Sequence, residues 1–218
     1  MMDTTPVLQR PADLVGNTGG RFIAKLQADF LADRPPAVGA LAQLRRGAGK
    51  LPQDVPELWG VTGVDQLLAG EAFAGDERRA ERAEAAYFLA VTLYALHQQS
   101  QRIPMHQQGV DLGRAVRRLM NPGEIDETIR RRFVRLGTAA TVDILAYRLR
   151  EVITLLRRGQ DGKGIPLDYG RLARQLYQAQ TPDGLNAVRR DWGRAFHTFQ
   201  AGNDKPGDDA EPSDKDTP

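Results

Sequence analysis

The stretch Val142-Asp143-Ile144-Leu145-Ala146-Tyr147-Arg148-Leu149-Arg150-Glu151-Val152-Ile153-Thr154-Leu155-Leu156-Arg157-Arg158 decides the fold. Its apolar residues Val142, Leu145, Leu149, Val152 and Leu156 recur at intervals of three and four, which places them on one stripe of an α-helix. Burying five such side chains is worth roughly 8–15 kcal/mol before chain entropy is set against it. The same period extends outward in both directions. Upstream, Ile125, Ile129, Phe133 and Leu136 mark a helix, and Asp111 can cap a short one that ends at Asn121-Pro122-Gly123. Asp76 can cap a long helix running to about Gln101, with Ala83, Tyr87, Ala90, Leu93, Tyr94 and His97 on its inner side. Pro35-Pro36 stops a helix carrying Phe22, Leu26 and Phe30 and starts another whose inner face is Val38, Leu41 and Leu44. Downstream, Asp168 can cap a helix holding Leu172 and Leu176, Thr181-Pro182-Asp183-Gly184 is a turn, and a last helix carries Val188, Trp192 and Phe196. No strand-like alternation of useful length occurs. The predicted fold is all-α: a compact bundle of about nine helices, as one domain or two closely packed lobes.

The 218 residues leave no room for several independent domains. Residues 1–19 end in Gly16-Asn17-Thr18-Gly19-Gly20 and read as a flexible lead-in; residues 20–202 form the helical domain. Residues 203–218 are Pro, Gly and acid, cannot build a core and are expected to be disordered. The first eleven residues include Asp3 and lack the long apolar run of a signal peptide. The uncharged stretch 85–101 is too short to span a bilayer and ends in His97-Gln98-Gln99-Ser100-Gln101, so no membrane partner and a soluble, cytoplasmic protein are expected.

Catalytic templates find little to match. The absence of cysteine excludes thiolate metal sites, disulfides and a cysteine nucleophile. The three histidines, His97, His106 and His197, have no metal-ligand spacing, and His97 reads as a core histidine on an apolar helix face. Gly162-Lys163 and Gly49-Lys50 both lack the flanking residues of a phosphate-binding loop. Serine is scarce, and none sits in a nucleophile elbow. No catalytic residue, cofactor or metal is expected.

The net charge of +2 conceals an uneven distribution. Residues 1–101 carry −2, residues 102–202 carry +8 and residues 203–218 carry −4. Of the 30 basic residues 25 are Arg, whose planar fork suits phosphate, although coding bias alone could produce that ratio. Arg114, Arg117 and Arg118 share one helix face, with Asp111 as the neighbouring acid. Arg130, Arg131, Arg132 and Arg135 crowd the next helix, where Glu127 can pair with Arg130 or Arg131. Arg148 and Arg150 flank the strongest apolar stripe beside Glu151, and Arg45, Arg46 and Lys50 lie in a segment without any acid from residue 34 to 53. For any one of these a solvated face is the simpler reading. Together they form an uncompensated potential that calls for an anionic partner. Most of the few aromatic residues sit at core spacing, so base-stacking platforms are not expected, and phosphate tracking without sequence readout is.

Five segments in order resemble the CasB family, the small subunit of the type I-E CRISPR Cascade complex. They are Ala40-Leu41-Ala42-Gln43-Leu44-Arg45-Arg46-Gly47, Tyr94-Ala95-Leu96-His97-Gln98, Leu112-Gly113-Arg114-Ala115-Val116, Arg130-Arg131-Arg132-Phe133 and Ile165-Pro166-Leu167-Asp168-Tyr169. The resemblance covers about residues 20–200. It implies an all-helical protein without enzymatic activity, present in two copies in an RNA-guided complex with other Cascade subunits and crRNA, binding nucleic acid through basic surfaces and holding the displaced DNA strand. Arg45, Arg46, Arg114, Arg131 and Arg150 match basic positions of the family pattern. Lys50, Arg117, Arg118, Arg132 and Arg148 join them on charge. The acidic tail and the long lead-in exceed that pattern.

Two other readings compete. A helix-turn-helix regulator would use the helix from Asp168, the turn at residues 181–184, and Arg189 and Arg190 early in the last helix. A helical interaction module would pair its arginines with protein carboxylates.

Overall fold

The computed structural model describes residues 10–198 apart from 70 and 161. Among these residues it has nine α-helices: α1 (Pro11–Leu31), α2 (Pro35–Leu44), α3 (Asp65–Leu68), α4 (Glu77–Gln98), α5 (Leu112–Arg117), α6 (Glu127–Gly137), α7 (Val142–Arg158), α8 (Tyr169–Gln178) and α9 (Pro182–Thr198). Short 3₁₀ turns flank α3 in the link between α2 and α4, and the only extended pairings among the described residues are isolated bridges, His106 with Leu167 and Gln160 with Lys163. The all-α expectation holds. No helix among the described residues is long and apolar enough to cross a membrane.

The caps explain most helix starts. The carboxylates of Asp76, Asp111, Asp126 and Asp168 accept hydrogen bonds from backbone N–H groups of the first turns of α4, α5, α6 and α8, and the Thr141 hydroxyl does the same for α7. Each satisfies a donor that the helix itself cannot. On α7, Leu145, Leu149, Val152 and Leu156 are buried as their spacing predicts, joined by Ala146 and Ile153, while Val142 is half-buried. The Gln98 side chain shapes the exit from α4: its amide donates to the carbonyls of Gln101 and Ile103, and its oxygen accepts from Met105 N, all at 3.0 Å.

α4 is buried nearly all round from Ala86 to Ala95 and contacts α1, α2, α7 and α8, which makes it the central helix. One continuous core runs from Val15 on α1 to Phe196 on α9, and a small satellite of Val55, Leu58 and Phe88 lies beneath the link after α2. α5 packs on α9, and α6 packs on α7.

Three local expectations are corrected. The glycine-rich run at residues 16–20 is not a flexible lead-in but the middle of α1, which starts at Pro11. Its glycines let α1 and α8 approach backbone to backbone: a Cβ on Gly16 would lie 2.9 Å from the Gly170 carbonyl oxygen, and one on Gly20 would lie 3.4 Å from Gly170 Cα. Val38, expected on the inner face of α2, is 43% exposed, because Ala37, Leu41 and Leu44 take that face. Ile125 lies outside its helix, exposed and just before the Asp126 cap. Residues 1–9 of the expected lead-in and the expected acidic tail at 203–218 lie outside the described residues.

Candidate nucleic-acid interface

The acid-free segment after α2 becomes a tight basic turn. Leu44 ends the helix in the core, and Arg45–Gly47 forms a 3₁₀ turn. Gly47 is buried against Leu58, Phe88 and Thr92, each less than 3 Å from where a Cβ would stand. That close approach pins the turn and leaves Arg45 and Arg46 exposed on its outer side. Gly49, at φ +78°, then reverses the chain, and Lys50 N donates to the Gly47 carbonyl at 3.0 Å.

α7 braces this turn from the side. Cβ and Cδ of Arg150 each lie 2.9 Å from the Cβ position of Gly49, and the Arg150 guanidinium donates to the Ala48 carbonyl at 3.3 Å. The fold thus brings together Arg45, Arg46, Lys50 and Arg150 from segments about a hundred residues apart. Among the described residues none of these four forms an ion pair.

The other basic residues fall elsewhere. Arg131 and Arg132 are exposed on α6, the helix that packs beside α7. On α6 Arg130 pairs with Glu127 at 2.9 Å, and that hydrogen-bonded partner holds the Glu127 carboxyl below its ordinary range. Arg131 also donates to the Glu127 carbonyl at 3.2 Å. Arg148 is half-buried, pairs with Glu151 at 2.9 Å and lies 5.4 Å from the centre of the Tyr147 ring. The α5 group is less open than its spacing suggests. Arg114, Arg117 and Arg118 are all half-buried; Arg117 donates to the Asn121 carbonyl at 3.2 Å, and Arg114 and Arg118 have interactions of their own.

Most described aromatic residues are buried or half-buried, and two are exposed. Trp59 is 64% exposed and Tyr147 is 56% exposed. Tyr147 stands between α7 residues already named, at an outward position of the helix period. Trp59 gave no signal, because it lies in a link without a period.

A cleft of about 910 Å³ between α1 and α8 is lined by charges of both signs. Arg171 pairs with the buried Asp111 at 3.0 Å and Arg174 with Asp13 at 3.3 Å. The third lining arginine, Arg21, shares the cleft with Asp168 and Asp191, so the lining carries no excess of positive charge for a phosphate. Of the two arginines a helix-turn-helix reader would use on α9, Arg189 is tied to the protein, donating to the Ala139 carbonyl at 3.0 Å, and Arg190 is exposed, while Val188, Trp192 and Phe196 pack the helix into the core.

Residues 40–197 match the family model described as CRISPR-associated protein Cse2. The chain belongs to the Cse2 family. Solved structures of its members carry the name CasB, in agreement with the resemblance drawn from the five segments. CasB from Thermobifida fusca is 50% identical, with a TM-score of 0.75 over 84% of this chain and 98% of that one. CasB from Thermus thermophilus is 26% identical, with a TM-score of 0.61 over 84% and 97%. A chain of a CRISPR RNA-guided surveillance complex shares the fold at 20% identity, with a TM-score of 0.58 over 84% and 96%. No curated protein matches the chain.

Proposed function

We propose that this Cse2-family protein is a non-catalytic small subunit of a type I-E Cascade complex, and that it binds nucleic acid without sequence preference and stabilises the R-loop by holding the displaced DNA strand. Its partners on this reading are crRNA, the displaced single strand, other Cascade subunits and a second copy of itself. The observation that carries the reading is the turn at residues 45–50, acid-free and braced by Arg150. Phosphates of a single strand supply the counter-charge that no ion pair among the described residues supplies there. Arg131 and Arg132, exposed on α6, and the half-buried Arg114, Arg117, Arg118 and Arg148 join the reading on charge. Exchange of a DNA duplex for an RNA–DNA hybrid is nearly balanced, so modest backbone contacts suffice to favour the open state.

Binding of the full-length protein to unrelated single-stranded oligonucleotides at several salt concentrations tests the proposal. If about four phosphates are neutralised, log K falls against log salt with a slope near −2.8. The variant combining Arg45→Glu, Arg46→Glu and Lys50→Glu keeps its circular dichroism spectrum and loses at least about tenfold in affinity at low salt. A flat salt response, or tight preference for one duplex sequence, overturns the proposal.

A further inference from the structure

Two rings stand out on the surface, and both border the basic turn. The side chain of Leu58 packs directly on Gly47, so Trp59 emerges next to the turn that carries Arg45 and Arg46. The Trp59 indole N–H donates to the Pro52 carbonyl at 3.1 Å, two residues beyond Lys50. That bond satisfies the ring's one polar group and holds it in place, while 64% of the residue faces solvent. On the other side, the Ala146 carbonyl lies 3.4 Å from the Gly49 Cβ position, so Tyr147 leaves α7 next to this contact and one turn before Arg150. Tyr147 is 56% exposed. A large aromatic group gains by leaving water; Trp59 and Tyr147 each keep more than half of their surface in it, and the Arg148 guanidinium over the Tyr147 ring leaves the opposite ring face to a base.

We infer that Trp59 and Tyr147 are stacking platforms for unpaired bases, one on each side of the turn whose cations hold the phosphates. This rests on the proposed function and adds to it a mode of contact. An aromatic face accepts any base, so it adds affinity without sequence preference. It also discriminates: a base inside a duplex is already stacked and paired, whereas a base in a displaced strand is available. The surface therefore selects single strands over duplex, which phosphate contacts alone do not do.

Trp59 reports on its own occupancy. The chain has two tryptophans, and the other, Trp192, is buried with its N–H bonded to the Gln175 side chain at 2.8 Å. Titration of the full-length protein with a single-stranded oligodeoxynucleotide is expected to quench tryptophan emission, and the Trp59→Ala variant is expected to lose that signal. Affinity of Trp59→Ala or of Tyr147→Ala alone falls about five- to a hundredfold, and that of the double variant further. The salt slope stays unchanged, and Trp59→Phe retains most of the affinity. An abasic oligonucleotide of equal length and charge binds the unaltered protein as weakly as the normal oligonucleotide binds the double variant. This last comparison needs no substitution, so it decides even if a variant folds poorly. Equal affinity for the abasic and normal strands overturns the inference. If the charge-reversed 45–50 turn still loses binding, the proposed function stands without it. If neither the aromatic nor the charge variant changes binding, or the unaltered protein binds no single strand, both fall.

Discussion

Gln98 shows how much a single buried amide can organise. It is fully buried, and its side chain meets three backbone groups of the 99–105 segment that have no helix to satisfy them. Gln98→Ala leaves those groups unpaired and is expected to cost about 2–4 kcal/mol in urea denaturation. Gln98→Glu does not rescue it, because a carboxylate cannot donate to the Gln101 and Ile103 carbonyls. A loss below about 1 kcal/mol would show that water replaces the amide at no cost. In the sequence Gln98 appears as one of several polar residues at a helix end, with nothing to separate it from Gln99. His97 was legible, since its place in the apolar period of α4 implies burial, and it is fully buried with Nδ1 2.9 Å from the Tyr169 hydroxyl. His106 was not. Its partners, the Tyr169 backbone and the Gln27 side chain, lie 63 and 79 residues away.

At the scale of elements, periodicity and caps carried most of the fold, and glycine was misread. A run such as Gly16-Asn17-Thr18-Gly19-Gly20 has poor helix propensity, and only its partner explains why it is helical. α8 presents Gly170 and Ala173 to it, so the missing side chains become contact area. The same residue type on α2 has no such role, because a Cβ on Gly39 would meet nothing within 4 Å. Opposite outcomes follow for one substitution. Gly39→Ala gains helix propensity and is expected to stabilise by about 0.5–1 kcal/mol. Gly16→Ala gains as much locally but drives a methyl group to 2.9 Å from the Gly170 oxygen, and is expected to destabilise by about 1–3 kcal/mol. Thermal denaturation of both variants checks the contrast, and equal shifts of the same sign would count against close packing of α1 on α8. The candidate site follows the same logic. Its charges were legible residue by residue, but the convergence of Arg150 on the turn at residues 45–50 depends on α7 crossing that turn, a non-local contact that no local period encodes.

Across the whole molecule, binding and stability respond to pH through different groups. Burial pushes the His97 imidazole down to about 3, and the charge of Arg157 acts in the same direction. Burial also lowers His106, against the opposing pull of Asp168, and its Nδ1 must stay unprotonated to accept the Tyr169 N–H at 3.1 Å. Both groups are harder to protonate in the folded chain than in the unfolded one. Their contribution to stability is therefore complete above the unfolded value near 6.5 and is lost as pH falls toward the folded value. Between pH 7.5 and pH 5 His97 alone is expected to remove about 2 kcal/mol, with His106 adding to it. Denaturation midpoints measured along this pH series check the slope, and constant stability would show that the two imidazoles are not held neutral. Guanidinium groups keep their charge over the same interval, so a surface built mainly from arginine is not switched off by it. Affinity for a single strand, corrected for the folded fraction, is accordingly expected to stay level from pH 7.5 to pH 5 while stability declines. A parallel decline in corrected affinity would place a titrating group in the interface, where neither His97 nor His106 stands.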